Sequence, residues 1–371
     1  MKWAFWICVS LIAYTYLGYP LWLWLRTHWK MQPVRAADIT PSVSIVIAVR
    51  NEAGNLPQKL RNLQELNYPR DKLEVILISD GSTDGTSELL QSLETGRVRV
   101  LVLPQHQGKA VALNRGVHVA RGDIVVFTDA RQSLEPDSVR NLVANFADPN
   151  VGCVSGELML GDRSGPTRET GIGLYWGIEK KIRQWEGATG CVVGATGALY
   201  AIRRELAVPL PPGTILDDVY IPLSVARAGA SVVFEPQARV WDAPSPQARE
   251  FRRKVRTLTG NYQLLQLAPW LLGRTNPLRF EFVSHKLFRL LMPFALAGAL
   301  LSSLMIDELF YQGAAILQIA FYSLAGLHVV PLPIGVLGKL ANVACTFLML
   351  NAAAVVALIN FLTGKKEVWV R

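Results

Sequence analysis

An uncharged apolar stretch, WAFWICVSLIAYTYLGYPLWLWL, lies between Lys2 and Arg26. A helix of this length can cross a hydrocarbon core of roughly 30 Å. The stretch is longer and more aromatic than the apolar region of a signal peptide, and no small-residue cleavage site follows it. We therefore predict a retained transmembrane anchor over residues 1–30.

A second apolar block runs from Leu290 to Thr363 and is interrupted by Asp307-Glu308 and by a PLP sequence at 331–333. Its length suits about three spans of ~20 residues each, so we predict C-terminal transmembrane helices over 287–363. With one span before the middle of the chain and three after it, both termini would lie on the outer side. The basic C-terminal end opposes that arrangement, and a re-entrant segment in place of one span would reverse it.

The middle of the chain, residues 40–260, has ordinary globular composition and is predicted to be one domain outside the bilayer. Residues 261–286 contain Trp270 and spaced arginines, which favours an interfacial amphipathic segment that joins the domain to the spans.

The formal net charge of +9 raises the question of a nucleic-acid partner. The basic residues are not arranged as a DNA-reading helix but flank the apolar blocks: Arg26, Lys30 and Arg35 on one side, and Arg249, Arg252, Arg253, Lys254 and Arg256 on the other. Flanking positive charge is typical of the cytoplasmic side of a membrane and of contact with anionic lipid. We predict a lipid bilayer as partner and no nucleic acid.

Within the domain, short β-branched runs alternate with segments of helical spacing. Strands are predicted for SVSIVIAV, LEVILISD, VRVLVLP and DIVVFTD, with helices after the first three. This alternation predicts an α/β fold with a mostly parallel, Rossmann-like sheet covered on both faces. Ligands of such sheets bind beyond the carboxyl ends of the strands.

Polar residues follow three of these predicted strand ends: Arg50-Asn51-Glu52, Asp80-Gly81-Ser82 and Asp129. Neither a Gly-x-Gly-x-x-Gly fingerprint nor a Walker loop is present, which argues against a dinucleotide oxidoreductase or a P-loop NTPase. The Asp80 carboxylate, in DGSTDGT, can accept a hydrogen bond from N3–H of uracil. The same sequence also suits a turn followed by a helix N-cap at Thr83 or Asp84.

Six motifs together resemble the family 2 inverting glycosyltransferases, which have the GT-A fold, and most of all their membrane-anchored polysaccharide-synthase branch. In chain order they are SIVIAVRNEAGNL, LISDGSTDGT, HQGKAVALNRGV, ARGDIVVFTDA, GATGALYAIRR and ILDDVYIPLSVARAG. Each motif alone is weak, but their shared order over the region from Ser42 to Asn261 is specific.

The resemblance implies a nucleotide-sugar site at the strand ends. Val49 and Glu52 would border the nucleoside, and Asp80 would hold the uracil of a UDP-sugar. Lys109 would lie near the diphosphate as a point charge, although a solvated first-turn lysine is an equal alternative. Asp129 would be the first carboxylate of an Asp-x-Asp site for Mg²⁺ or Mn²⁺.

The resemblance also implies an acid pair and an acceptor site. Asp218 would be the catalytic base, with Asp217 as its neighbour, because adjacent and partly buried carboxylates raise each other's proton affinity. Both acids would otherwise suit a helix N-cap. Gly197 and Ala198 would leave room for an acceptor sugar, and Trp176 would stack on one. Tight packing and a core aromatic are the alternatives.

Two positions depart from the family pattern. Arg131 replaces the second Asp of Asp-x-Asp, which leaves Asp129 as the sole strand-end ligand of a metal that keeps waters and phosphate oxygens. Arg131 can instead pair with a phosphate oxygen or with Asp217. Processive synthases carry Gln-x-x-Arg-Trp where this chain has Arg253-Lys254-Val255-Arg256-Thr257. Arg256 matches the motif arginine, and with Arg253 it is placed at the nucleotide-sugar site, unless this segment is a basic interfacial helix.

The resemblance thus predicts a membrane-bound enzyme that moves a sugar from a UDP-sugar to a glycan or lipid acceptor with inversion, forming β-linkages. Because UDP-sugars are cytosolic, the domain should face the cytosol, at a bacterial inner membrane. The missing Gln and Trp put processive elongation in doubt. The lost second Asp supports an alternative, a non-catalytic nucleotide-sugar-binding partner that works with the proteins of a polysaccharide-export complex.

Overall fold

The protein, as a computed structural model, is described over residues 1–93, 96–162, 165–166, 171–243, 247–327 and 335–364. Side chains are described for these ranges except at 162, 165–166, 171–176 and 247–248.

One mixed sheet of nine strands forms the centre of the domain in the described residues. In chain order the strands are β1 (Val43–Val49), β2 (Leu73–Asp80), β3 (Val98–Leu103), β4 (Ile124–Thr128), β5 (Ser133–Leu134), β6 (Val151–Asp162), β7 (Gly165–Pro166), β8 (Leu199–Arg203) and β9 (Ser231–Asp242). Their spatial order is β3-β2-β1-β4-β8-β6-β9-β5, with β7 paired to β6.

The four strands predicted from β-branched runs are confirmed, and they pair in parallel as β3-β2-β1-β4. Beyond β4 the sheet is mixed, because β8 runs antiparallel to both β4 and β6, whereas β9 is parallel to β6. The parallel half places the carboxyl ends of β1, β2 and β4 at one edge. The polar residues after those strands therefore converge, as in other sheets of this kind.

Helices cover the sheet and extend from it toward both chain ends. They are α1 (Lys2–Ala13), α2 (Tyr19–Trp29), α3 (Leu56–Gln64), α4 (Thr86–Gln91), α5 (Lys109–Val119), α6 (Ser138–Ala144), α7 (Gly171–Ala188), α8 (Asp217–Arg227), α9 (Gln247–Leu267), α10 (Arg279–Phe282), α11 (Phe288–Leu304), α12 (Leu309–Gly326) and α13 (Val336–Leu362).

Each face of the sheet has its own buried apolar cluster, because side chains alternate along a strand. Val46 and Ile78 face one cluster, with Leu113 of α5. Ile45 and Leu77 face the other cluster, which includes residues of α3. Burial on both faces explains why β1 and β2 are apolar without alternation.

Four helical segments in the described residues are long and apolar enough to cross a membrane: Lys2–Trp29, Arg279–Leu304, Leu309–Gly326 and Val336–Leu362. The first two each contain one π-helical turn, at Tyr14–Gly18 and at Val283–Leu287. These turns meet, since the Tyr14 hydroxyl lies 2.8 Å from Ser284 Oγ.

The domain boundaries expected from the sequence stay predictions. Helix α9 continues across the expected boundary at 260/261, and the second candidate span begins inside the segment expected to be interfacial.

Candidate functional site

The loop after β1 lies at the edge of the sheet where the polar strand ends converge, and it forms one side of the candidate site. Val49 is buried at the strand end, and Asn51 has a left-handed φ of 53°. Asn51 Oδ1 accepts a hydrogen bond from the Thr83 backbone N–H at 2.8 Å, and the Glu52 N–H donates to Thr86 Oγ1 at 2.9 Å. The loops after β1 and β2 are thus tied together. Asn51 was named from the sequence among the polar residues after the first strand but was given no role, although asparagine tolerates this backbone conformation better than most residues.

Asp80, at the end of β2, binds the loop that precedes α5. Its carboxylate accepts hydrogen bonds from the backbone N–H groups of Gln107 (2.7 Å) and Gly108 (2.9 Å), and His106 Nδ1 lies 2.7 Å from Oδ2. Next to it, a Cβ atom at Gly81 would lie 2.3 Å from the backbone nitrogen of His106, which requires glycine there. Through these three contacts, the Asp80 carboxylate fixes the loop at residues 106–108 beside the end of β2.

Lys109, the first residue of α5, joins the end of β4 to the start of α8. Its ammonium lies 3.1 Å from Asp129 Oδ1 and 3.3 Å from Asp217 Oδ1. Burial opposes the charge on Lys109, but the two carboxylates outweigh it and raise the lysine pKa. Burial likewise opposes the charge on Asp129, and Lys109 and then Arg256 offset this effect, so that the Asp129 pKa is lowered. Lys109 and Asp129 are both charged at neutral pH.

The Asp217-Asp218 pair opens α8, and its two acids have different surroundings. Asp217 is buried, and it accepts a hydrogen bond from the Tyr200 hydroxyl at 3.0 Å in addition to its Lys109 contact. Asp218 has neither a side-chain hydrogen bond nor an ion pair among the described residues. Burial, and after it the charge of Asp217, raises the pKa of Asp218 to about 6.

Gly197 lies directly against Asp218. A Cβ atom at position 197 would be 2.9 Å from Asp218 Oδ2, closer than a carbon and an oxygen can pack. Ala198 is buried beside it, in the turn immediately before β8. The side chain of Trp176, the third residue predicted to bind an acceptor, lies outside the described residues.

Arg131 does not pair with Asp217, one of the two alternatives considered for it. Its guanidinium donates to Asp242 Oδ2 at 2.5 Å, and Gln132 Nε2 and Arg253 Nη1 approach the same oxygen at 3.3 and 3.8 Å. Asp242 is buried at the end of β9 and was not predicted from the sequence. Arg131 and Arg253 thus gather around Asp242, whereas Arg256 acts electrostatically on Asp129.

Lys59 is a second residue that sequence reasoning missed. It projects from α3 beneath the end of β4, where its ammonium donates to Thr128 Oγ1 (3.1 Å) and to the Gln132 carbonyl (2.9 Å). The side chain is 1% exposed, and burial lowers the pKa of Lys59 to about 7. Its position among Leu56, Leu60 and Leu63 was the available signal, because helical spacing places it on the buried face.

Asp129 is the residue best placed to bind a divalent metal. Its side chain is 39% exposed, and Lys109 contacts only Oδ1. No group of three or more His, Cys, Asp or Glu side chains that could hold a metal occurs among the described residues. The donor set thus fits a cation that takes one ligand from Asp129 and most others from a bound diphosphate and water.

Known proteins resemble the chain in both sequence and fold. The family described as Glycosyl transferase family 2 matches residues 44–207. The poly-beta-1,6-N-acetyl-D-glucosamine synthase of Staphylococcus aureus (strain MSSA476) is 25% identical over 247 residues, which are 65% of this chain and 60% of that protein. A probable glycosyltransferase of Bacillus subtilis, YdaM, is 27% identical over 60% of this chain and 55% of its own length. The chain therefore spans less than two thirds of both relatives.

Among solved structures, the mannosyltransferase PcManGT from Pyrobaculum calidifontis, in complex with GDP-Man and Mn²⁺, superposes with a TM-score of 0.73. The two are 25% identical, and the match covers 98% of this chain and 100% of that one. The likeness therefore includes the apolar helices as well as the sheet domain.

Proposed function

We propose that the chain, whose residues 44–207 match the family 2 glycosyltransferases and whose GT-A fold is flanked by apolar helices, transfers a sugar from a UDP-sugar to a glycan or lipid acceptor with inversion at the anomeric carbon. The observation that carries the proposal is the Lys109 bridge, which holds Asp129 and Asp217 within one site beside Asp218.

In the proposed reaction Asp218 takes the proton of the acceptor hydroxyl. A carboxyl group with a pKa of about 6 is ionised at neutral pH and is a stronger base than an ordinary aspartate. The hydroxyl oxygen then attacks the anomeric carbon from the face opposite the diphosphate, so that an α-linked donor gives a β-linkage. Asp217, through its contacts with Lys109 and the Tyr200 hydroxyl, orients the start of α8.

The charge that develops on the leaving diphosphate would be met by Lys109 and Arg256, both of which act electrostatically on Asp129. A divalent cation at Asp129, Mg²⁺ or Mn²⁺, would neutralise the diphosphate further when bound. The GT-A neighbour was solved with Mn²⁺, which supports a metal of this kind.

UDP is proposed as the carrier because the chain resembles polysaccharide synthases. The GT-A neighbour holds GDP-Man, so the nucleoside needs a direct test. Purified full-length protein should be incubated with a panel of UDP- and GDP-sugars, and nucleotide release measured with and without Mn²⁺. UDP release that disappears in Asp218→Asn supports the proposal, and release from GDP-sugars alone would contradict the choice of UDP.

We further propose that the four apolar segments are transmembrane helices and that the domain faces the cytosol, where nucleotide sugars are made. A bacterial inner membrane is the proposed location, since the curated relatives reported above are bacterial. Protease protection of sealed vesicles tests the orientation: the domain should be cleaved in inside-out vesicles and protected in right-side-out ones.

A second candidate function is a non-catalytic nucleotide-sugar-binding partner within a polysaccharide-export complex. The observation that favours it is Arg131, which occupies the second Asp-x-Asp position and is paired with Asp242. If the protein binds UDP yet releases none from any UDP-sugar, and Asp218→Asn changes nothing in cells, this second function is favoured.

A further inference from the structure

Two cations lie along the short segment on which Asp218 rests, residues 194–197. A Cβ atom at Gly194 would lie 3.7 Å from Lys286 Cε, and Arg183 Nη1 donates to Thr196 Oγ1 at 2.6 Å. The opposite end of the segment, at Gly197, is in contact with the Asp218 carboxylate. Both cations also act on the pKa of Asp218, which they lower against the larger effects of burial and of Asp217.

Neither cation forms an ion pair with a carboxylate in the described residues, although Glu179 and Glu186 act electrostatically on Lys286. Lys286 makes no hydrogen bond or ion pair there, and Arg183 makes no ion pair. The Arg183 Nε atom is buried without a hydrogen-bond acceptor. A buried donor of this kind is costly unless something outside the chain satisfies it.

The carboxylates near Lys286 already have other partners. Glu179 binds Arg289 at 2.6 Å and His285 at 2.9 Å. Glu186 binds His285 at 2.7 Å and accepts from the Tyr19 hydroxyl at 2.8 Å. These contacts leave Lys286 and Arg183 as a positive site beside the proposed base.

This site is at the border between the domain and the apolar helices. Lys286 lies in the π-helical turn of the candidate span Arg279–Leu304, where a π turn changes the direction of the side chains that follow it. Arg183 is on α7, next to Ile182, which packs in one cluster with Tyr19 and Leu23 of the first span. An acceptor bound here would reach Asp218 from the membrane.

We propose that Lys286 and Arg183 bind a phosphate group of an anionic lipid acceptor and so place its hydroxyl group at Asp218. This inference rests on the proposed function and narrows its acceptor from a glycan or lipid to a phosphate-bearing lipid. Lysine and arginine are the usual ligands of phosphate, and the buried Arg183 Nε–H would gain its missing acceptor.

The phosphate is the recognised group and not the nucleophile, because a phosphate oxygen needs no base at neutral pH. In the transfer step the acceptor hydroxyl gives its proton to Asp218 and its oxygen bonds to the anomeric carbon. The bond from that carbon to the diphosphate breaks, and the nucleoside diphosphate leaves with the electron pair. The lipid product keeps its phosphate and its negative charge.

The test uses full-length protein in detergent, a radiolabelled donor, and the anionic and neutral fractions of a bacterial lipid extract. Label should enter lipid only with the anionic fraction, and the product should still bind an anion exchanger. Lys286→Gln and Arg183→Gln should each raise the apparent KM for that fraction at least ~10-fold. Lys286→Arg should retain most of the transfer, and Lys181→Gln, at an exposed position on α7, should behave as the parent protein.

Donor hydrolysis in the absence of lipid, measured at alkaline pH where Asp218 is ionised in every variant, separates acceptor binding from a folding or donor defect. In both Gln variants, transfer to lipid should fall much more than this hydrolysis does. Transfer to the neutral fraction, equal transfer to soluble glycerol phosphate, or parallel loss of donor hydrolysis would overturn the inference. If the parent protein neither hydrolyses nor transfers any nucleotide sugar, the proposed function itself fails, which is a distinguishable result.

Discussion

Gly197 faces the Asp218 carboxylate so closely that the methyl group of an alanine would come within 2.9 Å of Oδ2. Substitution Gly197→Ala should push Asp218 away from its position at the site, and we expect kcat to fall about 100-fold, since a misplacement of about 1 Å can cost this much. Steady-state kinetics of nucleotide release measure the effect.

The matched control is Gly177→Ala on α7, where a Cβ atom would meet nothing within 4 Å. That variant should retain parent activity. Normal kcat in Gly197→Ala would show that Asp218 does not need its present position.

The pH dependence of transfer should follow Asp218. A base must be ionised to act, and the Asp218 pKa is about 6, so kcat should be constant above pH 7 and fall tenfold per pH unit well below pH 6. An inflection near pH 4 instead would assign the proton transfer to a group with an ordinary carboxyl pKa. The residual activity of Asp218→Asn should lack the inflection.

Replacing Arg131 by aspartate should destabilise the protein and should not restore a two-carboxylate metal site. The change would leave Asp242 with a new negative neighbour in place of its closest guanidinium partner. Loss of a partner for a buried charge costs about 2 kcal/mol, so the thermal midpoint should fall by several degrees. The double variant Arg131→Asp, Asp242→Asn should recover part of this loss, and a gain in Mn²⁺ dependence with unchanged stability would contradict the prediction.

Lys59 should make stability depend on pH above neutrality. Folding lowers the Lys59 pKa from 10.5 to about 7, so between these values the unfolded chain binds more protons than the folded one. The free energy of unfolding therefore rises with pH in this window, by up to about 1.4 kcal/mol per unit. Lys59→Met should remove this slope, as measured by thermal midpoints from pH 6.5 to 10. The pH dependence of stability below that range should be unchanged. An identical slope in Lys59→Met would refute the assignment.

The parallel half of the sheet could be predicted because its strands are β-branched runs buried on both faces, and because strand ends of such a sheet share one edge. Lys109 and Asp129 meet at that edge, although from the sequence only the family resemblance placed both of them at one site. The mixed half was not predicted, since β8 and β9 pair with strands far away in the chain and their direction is set by those pairings.

The site residues that were missed have long-range partners. Asp242 is 111 positions from Arg131, and no local pattern connects them. Lys286 lies in an apolar span, and its distance from Gly194 depends on how that span packs against the domain. The Asp80 contacts were also not predicted. Nearly every residue of a loop has a backbone N–H group, so the sequence does not show which of them will bind a carboxylate.

Glu186 joins the two halves of the molecule, since one of its oxygens meets both the first apolar helix, through Tyr19, and the second, through His285. In the proposed membrane-bound enzyme, lifting the sheet domain away from the bilayer would break both hydrogen bonds and expose a buried carboxylate. The proposed reaction centre would therefore stay at a constant height above the lipid surface, and an amphiphilic product would leave laterally, in the plane of the leaflet.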